Sequence, residues 1–584
     1  MFFLIFEALI LQYYTIVSDK QIPMIDQTEM YYKMNKCDTK LVRSVLESNG
    51  FTCTDGQNWH ICWSNGFYRN NANDGLVNHF PNSLEITRKD KLIKNIVAMQ
   101  TKFGKSEFEV IPDSYVLPEE FADFYSHYHS IKEQMTVHKD YLISNKGKSV
   151  GDRRESNQLN NNVWIVKPSA GWQGKGIYIT DDITQVPIDE QCVVSRYLTN
   201  PLLIRGLKFD LRIYVLVTSF EPWRIYIYQE GLVRFASEQY KDSDFDNRYI
   251  HLTNYSINKK NEKFVQSNDF NSEESNKWSF ALLTKHLEAI GVNMSLLWSR
   301  IYDIILKTFI ACEPKIIDAC KKIPNYKHNS FEVFGFDVMV DSDCRPWILE
   351  ANLSPSFATD SILDYVIKSN LLKDTVNLLF MKKNEKKKFV SKEDIKLKWN
   401  AKSRVHGEFS YSQSPEKTKN ISAAPNIDNS RKHFYDSLVA RNKQLFNIDT
   451  ILNDYKDWKE VDNIVPELQN LSYRVREMLK TAILEDQRKG YFVRIYPSYQ
   501  SDKYDRFFIE PRSLNKLQHK YLYQINETKE DDEDGTISSE DESHLENDSP
   551  AVPLIKGSNI NERIKSMGMD PTARHTQRDD TKEV

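Results

Sequence analysis

Residues 331–357, FEVFGFDVMVDSDCRPWILEANLSPSF, constrain this chain more than any other stretch, because they read as a β-hairpin that brings three oxygen donors to one place. The first arm alternates aromatic and β-branched residues up to Val340, the next five residues are turn formers, and the second arm runs from Pro346 to Leu353. Side chains two apart on a strand share a face, so Glu350 and Asn352 point the same way, roughly 6 to 7 Å apart. Asp337 on the partner arm can meet them across the ladder. Two carboxylates and an amide, with no thiolate or imidazole, suit a hard cation that keeps waters and binds phosphate oxygens, which means Mg²⁺ rather than Zn²⁺. A nucleotide site is expected here, although from this segment alone a hairpin with a solvated polar face fits as well.

A second stretch points to phosphate. In VWIVKPSAGWQGKGIYI, residues 163–179, a strand ends in Lys167, a loop with three glycines follows, and a second strand leaves it. Glycines let backbone N–H groups approach phosphate oxygens, and a lysine at the strand end adds a point charge. No helix follows the loop, so it is neither a P-loop nor a dinucleotide fingerprint, and a tight hairpin alone would also use glycine. Further on, KFDLRIYVLV from Lys208 is the clearest alternation in the chain. Its period of two sets Lys208, Asp210 and Arg212 on one face and Phe209, Leu211, Ile213 and Val215 on the other. Three aligned charges beside an apolar face are unusual for a core strand; a solvent-facing edge strand is the competing reading.

The remaining elements frame these two. Residues 31–51 read as strand, helix, strand, with Leu41, Val42, Val45 and Leu46 on the inner helix face. A helix is expected over 91–103, capped by Thr87 or Asp90, with Arg88 and Lys89 at its start either solvated or, for Lys89, reaching a phosphate. Helix around 119–129 gives way to a polar insertion at 130–162. A strand at 192–198, a hairpin from 224–228 to 232–236 carrying Arg234, the polar loop HLTNYS at 251–256, an apolar helix through Ile301 to Cys312, and a helix over 360–381 complete this part. Further helices are expected at 431–455 and 464–487, with a strand at 491–497.

Charge and cysteine usage exclude several classes. Over 584 residues, 78 basic and 82 acidic residues nearly cancel, so only local runs name a partner. Residues 381–404 hold ten Lys or Arg against three Asp or Glu, and residues 530–548 hold ten acidic residues and no Lys or Arg. The basic run suits an acidic partner or a solvated linker; without an aromatic stacking platform or reader motif it does not suggest nucleic acid. Seven scattered cysteines form no CxxC pair, as in a reduced cytosolic protein. The apolar start, 1–17, lacks a basic lead, contains Glu7 and is short for a bilayer span, so a buried leader is favoured over a signal peptide and no stable membrane insertion is expected.

Taken in order, the Lys-Pro-Ser loop, SRYL at 195–198, KFDLR at 208–212, HLTNYS at 251–256, FGFD at 334–337 and EANLSPS at 350–356 resemble the tubulin tyrosine ligase-like family, and within it the polyglutamylases. The resemblance spans about residues 31–381 and continues in EDQRKGYFVRIYP at 485–497. It implies an α+β, ATP-grasp fold with N-terminal, central and C-terminal lobes of antiparallel sheets over 31–95, 96–207 and 208–380. An apolar leader (1–30) precedes them; a basic linker (381–430), a helical extension (431–525) and a disordered acidic tail (526–584) follow. The implied reaction is ATP- and Mg²⁺-dependent ligation of free L-glutamate to glutamate side chains in tubulin C-terminal tails, through an acyl phosphate. The enzyme is expected to be a cytoplasmic, cytoskeletal monomer acting on microtubules, with the cilium or basal body as a candidate site.

Carried over by residue, the resemblance makes Lys167 and Gly174 phosphate contacts, with Gln173 in the same cofactor loop. Ser195, Arg196, Tyr197 and Leu198 form the linker beside adenine, and Lys208, Phe209, Asp210, Thr253 and Asn254 bind nucleotide. Asp337, Glu350 and Asn352 hold Mg²⁺, while Lys167 and Arg212 offset charge on the transferring phosphoryl group. Arg234, Tyr255, Ser256, Lys277 and Lys368 form the amino-acid pocket, cations suited to a dicarboxylate. Gln173 and Lys175 stand where the family usually carries Arg, which leaves acceptor choice open. A glycine or tyrosine ligase of the same family, or a non-catalytic microtubule-binding scaffold, are the alternatives.

Overall fold

The computed structural model describes residues 30–68, 75–144, 162–169, 171, 174–267, 272–324, 326, 328–379 and 472–524. The apolar leader, Gln173, the basic linker, the expected helix at 431–455 and the acidic tail lie outside the described residues.

Three sheets carry the fold. The first has the strand order Phe51–Cys53, Met30–Asn35, Ile61–Ser64, Leu76–Val77. Its ladders are parallel, not antiparallel as expected. The helix Lys40–Ser48 between its first two strands is the reason: a strand returning through a helical crossover re-enters the sheet in the same direction. A second, antiparallel sheet has the order Ser114–Leu117, Cys192–Arg196, Trp164–Pro168, Tyr178–Thr180.

The third sheet has eight strands and is built around Leu207–Phe220. On one side of that strand lies Glu332–Val340, itself paired with Pro346–Asn352, so the opening hairpin is present and flanks the longest strand. On the other side lie Trp223–Tyr228 and Leu232–Phe235. These two were expected to form a hairpin with each other, but they run end to end as one interrupted neighbour of Leu207–Phe220. The break at Gln229-Glu-Gly lets the Glu230 carboxylate accept from the Phe280 and Ala281 backbone N–H groups at 3.2 and 3.1 Å. Burial pushes the Glu230 carboxyl up to about 8.

The alternation of the long strand sets up two cores. Phe209, Leu211, Ile213, Val215 and Val217 pack in one cluster with Phe309 and Ile305 of the helix Met294–Lys321. On the other face Tyr214 and Leu216 pack with Ile367 and Leu371 of the helix Ile362–Leu379 and with Val42 and Leu46. The first part of that second face, Lys208, Asp210 and Arg212, is charged, and the cleft opens beside Lys208 and Asp210. Burying one such large apolar side chain contributes ~1.5–3 kcal/mol, so the register of this strand is firmly held and its charged residues are carried with it.

Other boundaries differ from expectation. The helix begins at Lys89 instead of residue 91, and Arg88 stands at its N-cap position without a side-chain cap bond. The helix Phe121–Ser144 runs well into the segment read as a polar insertion. Downstream, the helix Tyr473–Gln487 leads into the strand Phe492–Tyr496, which pairs with Trp223–Tyr228 and so joins the large sheet. Glu485 fixes that junction, accepting from Thr218 Oγ1, Arg224 Nε and Tyr226 OH at 2.8, 2.9 and 2.9 Å. Among the described residues no helix is long and apolar enough to cross a membrane.

Candidate active site

A one-residue irregularity in the hairpin makes the site. From the turn, Val340 opposes Pro346, Met339 opposes Trp347 and Val338 opposes Ile348; the register then shifts, and Asp337 opposes Glu350 while Gly335 opposes Asn352. A regular ladder would have set Leu349 opposite Asp337 and turned Glu350 to the other face; the bulge at Leu349 reverses this. Asn352 Nδ2 donates to the Gly335 carbonyl at 3.1 Å and to Glu350 Oε1 at 3.4 Å. The three expected oxygen-bearing side chains therefore lie together. Two carboxylates and an amide form the hard donor set that Mg²⁺ takes. Among the described residues no group of three His, Cys, Asp or Glu side chains is placed to hold a metal ion.

These carboxylates are the floor of a cleft enclosing about 1270 Å³, part of it open to solvent, between the antiparallel four-stranded sheet and the large sheet. Lys167, Gly174, Ser195, Arg196, Tyr197, Leu198, Lys208, Asp210, Thr253, Asn254, Asp337 and Glu350 all line it. Ile111, Ile165, Val193, Met339 and Ile348 form an apolar slot beside the Ser195 to Leu198 linker, the surroundings a flat base requires. Lys89 also lines the cleft: its Nζ lies 3.0 Å from Glu350 Oε2, so the reading in which it reaches into the site holds over the solvated one. Gly174 and Gly176 both have φ of +71°, conformations that glycine adopts without strain. A Cβ on Gly174 would lie 2.6 Å from Ile257 Cδ1, and Arg248 donates to the Gly174 carbonyl, so the loop is held from the HLTNYS side.

The electrostatics favour an anionic guest. Burial pushes the Lys167 amine down to about 8, helped by Lys89 and opposed by Glu350 and Asp337. Burial likewise lowers Lys208 to about 7, against the pull of Asp210. Burial alone would raise the Asp337 carboxyl, but the Arg212 and Arg234 guanidinium groups outweigh it and hold it well below the usual carboxylate range. Arg212 is bidentate to Asp337, Nε at 2.5 Å and Nη2 at 3.0 Å, while Arg234 Nη2 lies 2.8 Å from Asp337 Oδ2. Arg234 Nε also donates to Asp210 Oδ1 at 2.8 Å, so its guanidinium is shared by two aspartates beneath the cleft.

The other expected amino-acid contacts gather around a residue that the sequence did not reveal. Asp364 accepts from Lys277 at 2.6 Å, pairs with Lys368 at 2.8 Å, and takes a hydrogen bond from Ser361 Oγ at 2.8 Å. Lys277 Nζ stands 4.2 Å from the centre of the Tyr255 ring. Ser256 follows Tyr255 on the short helix Tyr255–Asn258. Asp364 and Lys368 are four apart on one helix, a spacing at which side chains pair, and that was the available signal. Phe209 is a correction: its ring is buried in the core, 5.7 Å from Phe235, on the face of the strand away from the cleft, and it does not line the site.

Residues 68–388, more than half of the chain, match the profile of the tubulin-tyrosine ligase family. The chain belongs to that family. The mouse tubulin polyglutamylase TTLL5 (Mus musculus) is 32% identical over 87% of this chain and 35% of its own length. The human tubulin monoglutamylase TTLL4 (Homo sapiens) is 32% identical over 85% of this chain and 38% of its own. The Caenorhabditis elegans tubulin polyglutamylase ttll-5 is 35% identical over 62% of this chain and 49% of its own. The chain thus spans about a third to a half of the length of these relatives, and the family match covers both arms of the hairpin that carries Asp337 and Glu350.

Proposed function

We propose that the chain is an ATP- and Mg²⁺-dependent carboxylate–amine ligase with an ATP-grasp fold, joining free L-glutamate to glutamate side chains in tubulin C-terminal tails. The observation that carries this reading is the bulged hairpin, which brings Asp337 and Glu350, with Asn352 beside Glu350, to one face of the strand pair at a cleft that also holds Lys167 and an apolar slot. The relatives named as glutamylases of tubulin support the acceptor and the donor. In this reading the acceptor carboxylate is activated as an acyl phosphate, and the amine of free glutamate displaces phosphate to form an isopeptide bond.

The chain's own part is positioning and charge. The apolar slot and the Ser195 to Leu198 linker hold the base, while Lys167 and Lys89 take up phosphate charge at the hairpin end of the cleft. Asp337, Glu350 and Asn352 would hold Mg²⁺, which when bound neutralises phosphate charge and polarises the transferring group. Around the amino-acid subsite, Arg234, Lys277 and Lys368 pair with Asp210, Asp337 and Asp364, while Arg212, bidentate to Asp337, offsets charge on the transferring phosphoryl group. Cations placed in this way suit the two carboxylates of glutamate, where glycine and tyrosine each carry one. The enzyme is read as a cytoplasmic monomer at microtubules, with the basic residues 381–404 meeting the acidic tails.

Incubating the purified chain with ATP, Mg²⁺ and microtubules, and with labelled glutamate, glycine and tyrosine in parallel, tests the reading by mass spectrometry of tubulin. Glutamate additions are expected. Preference for glycine or tyrosine overturns the donor assignment, and microtubule binding without any mass change makes the chain a scaffold.

A further inference from the structure

His251 belongs to no role given above, yet it lines the cleft and ends a chain of hydrogen bonds that begins at Lys208. Lys208 Nζ lies 2.9 Å from Tyr197 OH, Tyr197 OH lies 2.9 Å from His251 Nδ1, and His251 Nε2 lies 3.1 Å from the Asp244 carbonyl oxygen. All three side chains are buried, and the imidazole is enclosed by the rings of Tyr240 and Phe245 at 5.8 and 5.5 Å between centroids.

Elementary donor and acceptor rules fix the direction of this chain. A carbonyl oxygen only accepts, so His251 Nε2 carries the proton that faces Asp244. In a neutral imidazole Nδ1 is then bare and accepts from the Tyr197 hydroxyl at 2.9 Å; the Tyr240 hydroxyl, which donates to the Thr199 carbonyl, is the other acceptor beside it, and with either acceptor the Tyr197 proton points away from Lys208. The hydroxyl has one proton, so towards Lys208 it can only accept. Burial, with the charge of Lys208 next, pushes the His251 imidazole down from its ordinary value and keeps it neutral. Burial raises the Tyr197 phenol well above its usual value, so the hydroxyl keeps its proton. The Lys208 amine is thus tied by one N–H to an oxygen that cannot turn round, and its other N–H bonds are left for the cleft.

We propose that His251 is a positioning residue for the nucleotide: acting through the Tyr197 hydroxyl, it fixes the direction in which Lys208 presents its remaining N–H bonds to the bound nucleotide. The proposal rests on the reading of the cleft as a nucleotide site. It assigns Tyr197 a side-chain role beyond its place in the linker expected beside adenine.

Three variants of the full chain separate this from a packing role. Tyr197→Phe keeps the ring and removes the hydroxyl; His251→Leu removes the acceptor; His251→Asn keeps an acceptor oxygen near the position of Nδ1. Affinity for a non-hydrolysable ATP analogue with Mg²⁺ is measured by calorimetry, alongside KM for ATP, kcat and the melting temperature without nucleotide. Tyr197→Phe and His251→Leu are expected to weaken binding and raise KM for ATP about tenfold, the loss of one hydrogen bond to a charged group, with kcat within about twofold. His251→Asn is expected to recover most of that loss. Unchanged affinity in Tyr197→Phe overturns the proposal, as does an equal loss in all three variants, which would trace to packing. If the unaltered chain binds no nucleotide, the cleft reading falls and the proposal falls with it.

Discussion

Glu350 and Asp337 oppose each other on the hairpin, and replacing each by its amide separates catalysis from folding. Among the described residues Glu350 makes its ion pair with Lys89 at 3.0 Å and also faces the Lys167 amine, and its side chain is 25% exposed. Turning it into glutamine removes an ion pair partly screened by water, a loss of about 0.5–1 kcal/mol, so the melting temperature should fall by no more than ~2–4 °C. Asp337 is almost wholly buried, with two guanidinium groups on its oxygens. Asp337→Asn leaves Arg212 and Arg234 under-compensated in a buried site, a loss of ~3–5 kcal/mol. Ligation should respond differently. In the proposed reading either change removes an anionic ligand of Mg²⁺ from a reaction driven by charge stabilisation, and losing one such contact costs about 10²–10³-fold in kcat. The expected pattern is a stable, inactive Glu350→Gln and an inactive Asp337→Asn of clearly lower stability. Calorimetric melting and tubulin glutamylation measure the two halves. A Glu350→Gln protein that retains more than about a tenth of wild-type ligation, or that melts as low as Asp337→Asn, refutes the reasoning.

Asp364→Asn leaves the Lys277 and Lys368 amines without their shared carboxylate, and should lower stability by ~3–5 kcal/mol in denaturant titration. Because the two lysines outweigh burial and hold the Asp364 carboxyl below its usual range, that stabilisation is present above the unfolded pKa near ~4 and is lost as pH falls through the folded value. The buried lysines of the cleft give a slope of the same sign. With Lys167 at about 8 and Lys208 at about 7 in the folded chain, the unfolded chain binds more protons from those values up to ~10.4, so stability from these groups rises with pH over that window. Phosphate charge favours the ammonium forms, so nucleotide binding near pH 8 should take up protons and weaken as pH rises; calorimetry in two buffers of different ionisation heat reads this, and zero uptake contradicts it. Gly174→Ala forces a left-handed φ of +71° on a residue with a Cβ, at a cost of ~1–2 kcal/mol, and should raise KM for ATP without lowering the melting temperature comparably.

Much of this was legible because alternation in strands is strict. The run from Lys208 to Val217 announced both faces of the central strand, and of the polar face Lys208 and Asp210 line the cleft while Arg212 is bidentate to Asp337 behind it. What the pattern could not supply was partner choice. The strands at 223–228 and 232–235, separated by a three-residue turn-former run, have the look of a hairpin, and only pairing with a third, longer strand makes them collinear. Phe209 illustrates a different loss: a motif carried over as a block includes its apolar members, although the period of two already assigned that ring to the core. Asp364 was hidden because a helical aspartate four residues before a lysine is ordinarily a surface pair; nothing local says that Lys277 arrives from a distant strand to share it.

The bulge at Leu349 decides whether the candidate site exists, and it is the feature least visible in the residues themselves. An unbroken ladder from the Asp341 turn would place Glu350 and Asn352 on the face opposite Asp337. Both faces of the large sheet are covered by helices, so that arrangement would also drive a carboxylate towards the apolar cluster around Phe309. The unfavourable alternative helps to select the bulged register, because burying an unpaired carboxylate costs far more than one irregular pair of ladder bonds. The same residues that would hold the metal therefore help to specify the strand register that brings them together, which ties the chemistry of the cleft to the folding of the hairpin.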